Sequence, residues 1–181
     1  MTEIIRTGTG LIHLYSGDGK GKTTTGMGLC VRAAGYGYKV LIYQFMKNNS
    51  TSERSAMKHI PGITFVDGLE HEKFSFLLTP QEKEERRAFY NRQLEKVTEL
   101  ARRENYDVLF LDEAVYAIAA GLLDEDALLA FLRTKPDQLE VILTGQNPGP
   151  RLCAMCDYHS EIRKLKHPFD HNQPARPGIE R

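Results

Sequence analysis

The stretch Leu11-Ile12-His13-Leu14-Tyr15-Ser16-Gly17-Asp18-Gly19-Lys20-Gly21-Lys22-Thr23-Thr24 decides the fold. Its first part is an apolar segment of strand length, and its second is a glycine-rich run leading into a helical pattern. A strand, a loop and a helix in that order let the loop glycines turn backbone N–H groups around an oxyanion while the helix start adds its positive end. The candidate phosphate cradle is Gly17, Asp18, Gly19, Lys20, Gly21, Lys22, Thr23 and Thr24. Lys22 is placed to reach the outer phosphates of a nucleotide, and the Thr23 hydroxyl to hold Mg²⁺. Ser16 stands where the usual G-x-x-x-x-G-K-[ST] pattern begins with glycine, and the additional glycines lie inside the loop.

Outward from this loop, strand-like and helix-like segments alternate without a long linker or an internal repeat. That alternation predicts an α/β fold: a mostly parallel sheet with helices on both faces, in the manner of P-loop NTPases of the RecA-like type. A helix is predicted over Thr23 to Ala34, with Met27, Leu29, Cys30, Val31 and Ala34 as buried positions and Gly35-Tyr36-Gly37 as its end. Lys39 to Phe45 and Ile63 to Val66 read as strands. Thr79-Pro80-Gln81-Glu82 combines an N-cap, a proline at the first helical position and a capping box, opening a helix to about Arg103. Tyr90, Leu94, Val97 and Ala101 would face the sheet, leaving Arg86, Arg87, Glu95 and Arg102 mostly to solvent. Val108 to Leu111 is a strand ending on Asp112-Glu113. Further on come a helix over Leu122 to Arg133 entered near Asp124, a strand at Val141 to Leu143, a helix including Leu152 to Asp157 and a strand near Ile162 to Lys166. Residues 167–181 form an irregular tail, rich in proline and polar residues, and the whole chain 1–181 reads as a single domain.

The 181 residues carry 24 Lys+Arg against 24 Asp+Glu, a formal net charge of zero, so no global field draws the chain to nucleic acid or to anionic lipid. The arginines of the long helix alternate with acids, the pattern of a solvated face. No stretch approaches the roughly 20 apolar residues of a membrane span. Met1 to Arg6 lacks a basic start followed by an apolar core, and Cys30, Cys153 and Cys156 suit a reducing compartment, which predicts a cytoplasmic protein.

In open α/β sheets ligands bind beyond the carboxyl ends of the strands. Asp112 and Glu113 at one such end are therefore candidate metal ligands together with Thr23, with Glu113 and Lys22 also candidate catalytic groups. Cys153-Ala154-Met155-Cys156 has a metal-like spacing with His159 and His167 downstream, but a second cysteine pair is absent and an ordinary helix core accounts for it better. His13, on a buried strand, reads as a packed histidine.

Ser16 to Thr24, Arg32-Ala33, Gly35-Tyr36-Gly37, Val40 to Lys47, Glu53-Arg54, Leu111-Asp112-Glu113, Thr144-Gly145 and Lys166-His167-Pro168-Phe169-Asp170 together resemble the ATP:corrinoid adenosyltransferases. That family's loop begins with Ser or Thr and reads Gly-x-Gly-Lys-Gly-Lys-Thr-Thr, and its Gln-Phe-x-Lys corresponds to Gln44-Phe45-Met46-Lys47. The resemblance implies transfer of the 5′-deoxyadenosyl group of ATP to the Co(I) of a reduced corrinoid, with Mg²⁺ as cofactor and triphosphate as leaving group. It implies that Phe74-Ser75-Phe76, where relatives commonly have Phe-Thr-Trp, presents aromatic rings that drive the lower axial ligand off cobalt. From the residues alone, Phe74 and Phe76 have as a lesser alternative a reading as core side chains of a short strand. Gln146 stands where relatives usually have Arg. A homodimer and an electron-donor flavoprotein are further implications of the resemblance.

Two other readings stay open on the residues. One is a P-loop kinase or RecA-like ATPase acting at the γ-phosphate, for which the zinc-ribbon cysteine spacing of one such kinase type is missing. The other is a nucleotide-binding regulatory or nucleic-acid-binding module, which calls for a basic face that the balanced charge does not supply.

Overall fold

The computed structural model describes residues 8–180, so the Met1 to Arg6 start lies outside the described residues. Six parallel strands form one sheet in the order β3-β2-β4-β5-β1-β6. These are β1 (Ile12–Ser16), β2 (Val40–Gln44), β3 (Ile63–Phe65), β4 (Val108–Asp112), β5 (Glu140–Thr144) and β6 (Tyr158–Glu161). The helices are α1 (Lys22–Tyr36), α2 (Ser52–Met57), α3 (Pro80–Arg103), α4 (Ala114–Ala119), α5 (Glu125–Thr134) and α6 (Pro150–Cys153).

The central strands β2, β4 and β5 are near-continuous apolar runs because both sheet faces are covered there, as parallel sheets require. Alternate side chains serve opposite cores. Leu41, Tyr43, Leu109, Leu111, Val141 and Leu143 pack against α3, α4, α5 and α6, while Val40, Ile42, Val108, Phe110 and Ile142 pack against Met27, Cys30 and Ala33 of α1 and Met57 of α2. The predicted α/β sandwich is therefore the observed one, and every strand pair is parallel.

Helix α3 begins as its sequence predicts. Thr79 accepts from the Glu82 amide and the Glu82 carboxylate accepts from Thr79 N–H, with Pro80 following the cap. The Thr79 N–H bond first, then the Lys73 ammonium, hold the Glu82 carboxyl down at about 2. Tyr90, Leu94, Val97 and Ala101 are its buried face.

Several expectations need correction. Val31 is exposed, and Ala33 takes its place in the core, because the α1 face that meets β4 is Gly26, Met27, Cys30 and Ala33. Arg86 does not project into solvent but pairs with Glu72 in a nearly buried contact. The helix over Leu152 to Asp157 shrinks to α6. The last strand runs four residues ahead of its predicted start: Tyr158 pairs with His13, and Ile162 N–H donates to Ser16 O just beyond the ladder. Strand β6 sits at the sheet edge with all residues exposed, so it carries no apolar signal to read. Within the tail, Pro168–His171 form one 3-10 turn. Two short helices, α2 and α4, have no counterpart in the sequence reading.

His13 packs on the edge strand, stacked on Tyr158 with ring centroids 4.7 Å apart, and its Nε2 meets Glu140 Oε1 at 2.6 Å. Cys153 and Cys156 pack against the larger core, with Cys156 Sγ donating to Leu152 O at 3.1 Å. No helix among the described residues is long and apolar enough to cross a membrane.

Candidate active site

The glycine-rich loop after β1 is fixed from outside by the chain that follows β6. Gly19 N–H donates to Ile162 O at 2.8 Å, and Lys164 N–H donates to Asp18 Oδ1 at 2.9 Å. A Cβ on Gly17 would stand 2.3 Å from Ile162 O and one on Gly19 2.8 Å from it, so these two glycines are dictated by close approach of another chain segment. Asp18, drawn into the cradle by sequence, uses its carboxylate here to tie the loop to the tail. Gly21 caps α1 at φ 122°, which leaves the first turn of α1 facing the loop. Lys22 is buried, with Nζ donating to Gly19 O at 2.8 Å, and Lys20 is exposed.

The acidic tip of β4 lies opposite. Asp112 is fully buried, and all four of its lone-pair directions are used. Oδ1 accepts from Thr23 Oγ1 at 2.9 Å and Thr144 Oγ1 at 2.7 Å. Oδ2 accepts from Gln44 Nε2 at 3.1 Å and Lys47 Nζ at 2.7 Å. Burial pushes its carboxyl up, but the Lys47 ammonium and these donors outweigh burial and hold it below the ordinary range. Burial likewise opposes the charge on Lys47, and the Asp112 carboxylate overrides it, so the ammonium is held above its ordinary value. Lys47 Nζ also lies 3.0 Å from Thr23 Oγ1, a cation spanning the threonine and the acid.

Glu113 takes the left-handed conformation at φ 58°, with its N–H donating to Thr144 Oγ1 at 2.8 Å. Burial first, then the adjacent Asp112 charge, raises its carboxyl. Among the five described non-glycine residues with positive φ, only Glu113 and Met46 are not asparagine, and both sit at strand ends in this site. Backbone strain concentrated there marks a functional region.

A cavity of about 1110 Å³ joins these groups, lined by the loop from Asp18 to Thr24, by Lys47, Glu53 and Glu113, by Phe74 and Phe76, and by tail residues including Phe169 and Ile179. Phe74 and Phe76 are 71% and 75% exposed, on a 3-10 turn at Ser75–Leu77, with rings stacked 5.4 Å apart. The core reading of this pair is overturned: both rings stand in the cavity wall and neither packs in the interior. The volume exceeds the roughly 300–1,000 Å³ of a pocket for one drug-sized ligand. It offers a phosphate-binding end, a hard oxygen donor set and an apolar aromatic end.

The arrangement brings together Lys22, Thr23, Asp112 and Glu113, and sets Phe74 and Phe76 across the same cavity. Residues given no role in the sequence reading complete it. Lys47 and Gln44 belong to the Gln-Phe-x-Lys string, and Thr144 to Thr144-Gly145; both strings were visible as matches, with no indication that their side chains converge on Asp112.

The family model described as ATP:corrinoid adenosyltransferase BtuR/CobO/CobP matches residues 8–181. This chain belongs to that family. It is 29% identical over 171 residues to the corrinoid adenosyltransferase of Escherichia coli strain K12, covering 94% of this chain and 85% of that one. It is 32% identical over 178 residues to the corrinoid adenosyltransferase of a Sinorhizobium species, covering 94% and 80%. To the corrinoid adenosyltransferase CobA of Salmonella typhimurium strain LT2 the identity is 28% over 171 residues, covering 94% and 85%. Membership thus spans the loop, the acidic strand tip, the aromatic turn and the tail that together enclose the cavity.

Proposed function

We propose that this chain transfers the 5′-deoxyadenosyl group of ATP to the cobalt of a reduced corrinoid. The observation that carries the proposal is the single cavity with a phosphate cradle at one end and an exposed pair of stacked phenylalanines at the other. An enzyme acting on the γ-phosphate has no use for two large rings held out of the core in the wall of the same cavity. A flat apolar macrocycle does.

In this reading the Co(I) electron pair attacks C5′, the cobalt–carbon bond forms as the C5′–O bond breaks, and triphosphate departs with the bonding electrons. The leaving group gains negative charge in the transition state, and the Lys22 ammonium, Lys20 and the N–H groups at the start of α1 are the donors positioned to stabilise it. The donor set fits Mg²⁺: the Thr23 hydroxyl and the Glu113 carboxylate are hard oxygens beside the phosphate cradle. When bound, the metal supplies further charge neutralisation on the phosphates. Asp112, with its lone pairs occupied, holds Thr23 and Lys47 in place. Phe74 and Phe76 meet the lower face of the corrinoid and exclude its axial ligand, so that cobalt is reduced more easily. A flavoprotein electron donor, a homodimeric assembly and a cytoplasmic location belong to the same proposal.

Anaerobic incubation with Mg-ATP and chemically reduced corrinoid should yield triphosphate and the spectrum of a new cobalt–carbon bond. Orthophosphate or ADP with an unchanged corrin spectrum would overturn the assignment. Lys22→Ala should lower turnover by about 10²-fold or more with either cobalt state supplied. Phe74→Ala and Phe76→Ala should impair turnover mainly when Co(II) corrinoid is supplied and reduction must occur on the protein. Equal loss with preformed Co(I) would exclude the ligand-displacing role.

A further inference from the structure

Beside the cavity, with Glu72 and Met46 in its lining, lies a shielded polar cluster that the reaction as described does not use. Glu72 and Arg86 form an ion pair with side chains only 11% and 13% exposed. The Arg86 guanidinium stands 5.8 Å from the centre of the Tyr90 ring, and the Tyr90 hydroxyl lies beside Glu72, whose Oε2 is buried without a hydrogen-bond partner among the described residues. That hydroxyl also accepts from Met46 N–H at 2.9 Å. The chain Met46, Tyr90, Glu72 and Arg86 thus runs from one cavity loop to the other through the first turns of α3.

Each end of the chain meets a cavity segment that has few other holds: Leu78 is buried just after the aromatic turn, and Met46 packs against the core beside Phe45. Phe74, Phe76 and Leu77 are all more than half exposed, so the aromatic turn is not anchored by its own side chains. Beside buried Leu78 at its end, its polar attachments are the exposed Lys73–Glu82 pair, worth little in water, and the shielded Glu72–Arg86 pair two residues before Phe74. At the other end, Met46 sits at φ 54°, a conformation that an unbranched non-glycine residue leaves unless it is held. Its N–H bond to Tyr90 holds it, and Lys47 follows directly, with its ammonium on Asp112 and Thr23. Freed from Tyr90, the Met46 corner can relax and carry Lys47 away from the phosphate end.

We infer that Glu72, Arg86 and Tyr90 are positioning residues that hold the Phe74–Phe76 turn and the Met46–Lys47 corner in one fixed relation, so that the nucleotide end and the corrinoid end are set together. The inference rests on the adenosyl-transfer reading of the cavity. Tyr90→Phe is the cleanest probe, because it keeps the ring that packs edge-on against Phe45 and removes only the hydroxyl. Glu72→Gln is the second, since it keeps the shape of the side chain and removes the ion pair.

The measurement is the dissociation constant for Mg-ATP and, separately, for cob(II)alamin, in wild type, both single variants and the double variant, well below each protein's melting temperature. Loss of one buried hydrogen bond in such a chain corresponds to roughly three- to tenfold. Tyr90→Phe should weaken both ligands by about that factor, and the double variant should lose little more than the weaker single variant, the sign of groups acting as one unit. A fall in melting temperature with both constants within about twofold of wild type overturns the inference, since a merely structural role predicts that result. Weakening of one ligand alone, or fully additive losses, overturns it equally. A wild-type protein that binds ATP but neither binds nor adenosylates a corrinoid refutes the functional reading itself. A wild-type protein that adenosylates normally beside unaffected variants refutes only the role of these three residues.

Discussion

Lys47 is the residue on which the charge balance of the site turns. Asp112 is fully buried, and three of its four donors are neutral: two threonine hydroxyls and the Gln44 amide. Among the described residues, the Lys47 ammonium is the cation paired with it. Removing one partner of a buried pair leaves a charge with its desolvation cost uncompensated, which is typically worth about 3 kcal/mol. Lys47→Met, which keeps length and removes charge, should therefore lower unfolding free energy by about that amount in urea titration, in addition to weakening nucleotide binding. An unchanged midpoint would mean that Asp112 is carried by its neutral donors alone. Lys47 was legible as part of a string but not as a site residue, because nothing in the chain order indicates that residue 47 meets residues 23 and 112.

At the scale of one element, α1 shows how helix propensity and packing separate. Gly26 and Gly28 lie two residues apart in the same helix, and alanine is favoured over glycine by roughly 1 kcal/mol at a helix interior. A Cβ on Gly28 meets nothing within 4 Å, whereas one on Gly26 would stand 2.4 Å from Phe110 Cζ. Phe110 is fully buried in β4 and has no room to retreat. Gly28→Ala should stabilise by about 0.5–1 kcal/mol and Gly26→Ala destabilise by about 1–3 kcal/mol, with opposite shifts of thermal midpoint as the check. Helix α3 behaves differently: its cap, its proline and its buried stripe agree, and its limits were readable from sequence. Strand β6 was misplaced because an exposed edge strand is set by hydrogen bonds to β1, and side-chain pattern has no part in that pairing.

At the scale of the whole molecule, the chain after β6 is the outer wall of the site. Its backbone grips the glycine-rich loop through Ile162 and Lys164, and its later residues, Phe169 and Ile179 among them, line the cavity. These later residues add little to either core. A chain ending at Lys166 should therefore unfold as cooperatively as the full chain, with a thermal midpoint lower by only a few degrees, a shift of about 1 kcal/mol or less. Its affinity for Mg-ATP should fall clearly. Loss of cooperative folding would show instead that the tail is part of the structural frame.

The strand–loop–helix at the start, the apolar runs, the acidic tip and the capping box of α3 were determined by the sequence itself. Each of those signals is local: a period, a cap or a glycine run acts over a few residues of contiguous chain. The order of the strands is not local. Strand β5 inserts between β1 and β4, and that insertion alone carries Thr144 to Asp112 and brings Glu113 N–H onto the Thr144 hydroxyl. The same holds for the glycines at 17 and 19, whose small size answers to a carbonyl about 145 residues away. Such contacts close long loops, and chain separation places no mark on the residues that make them.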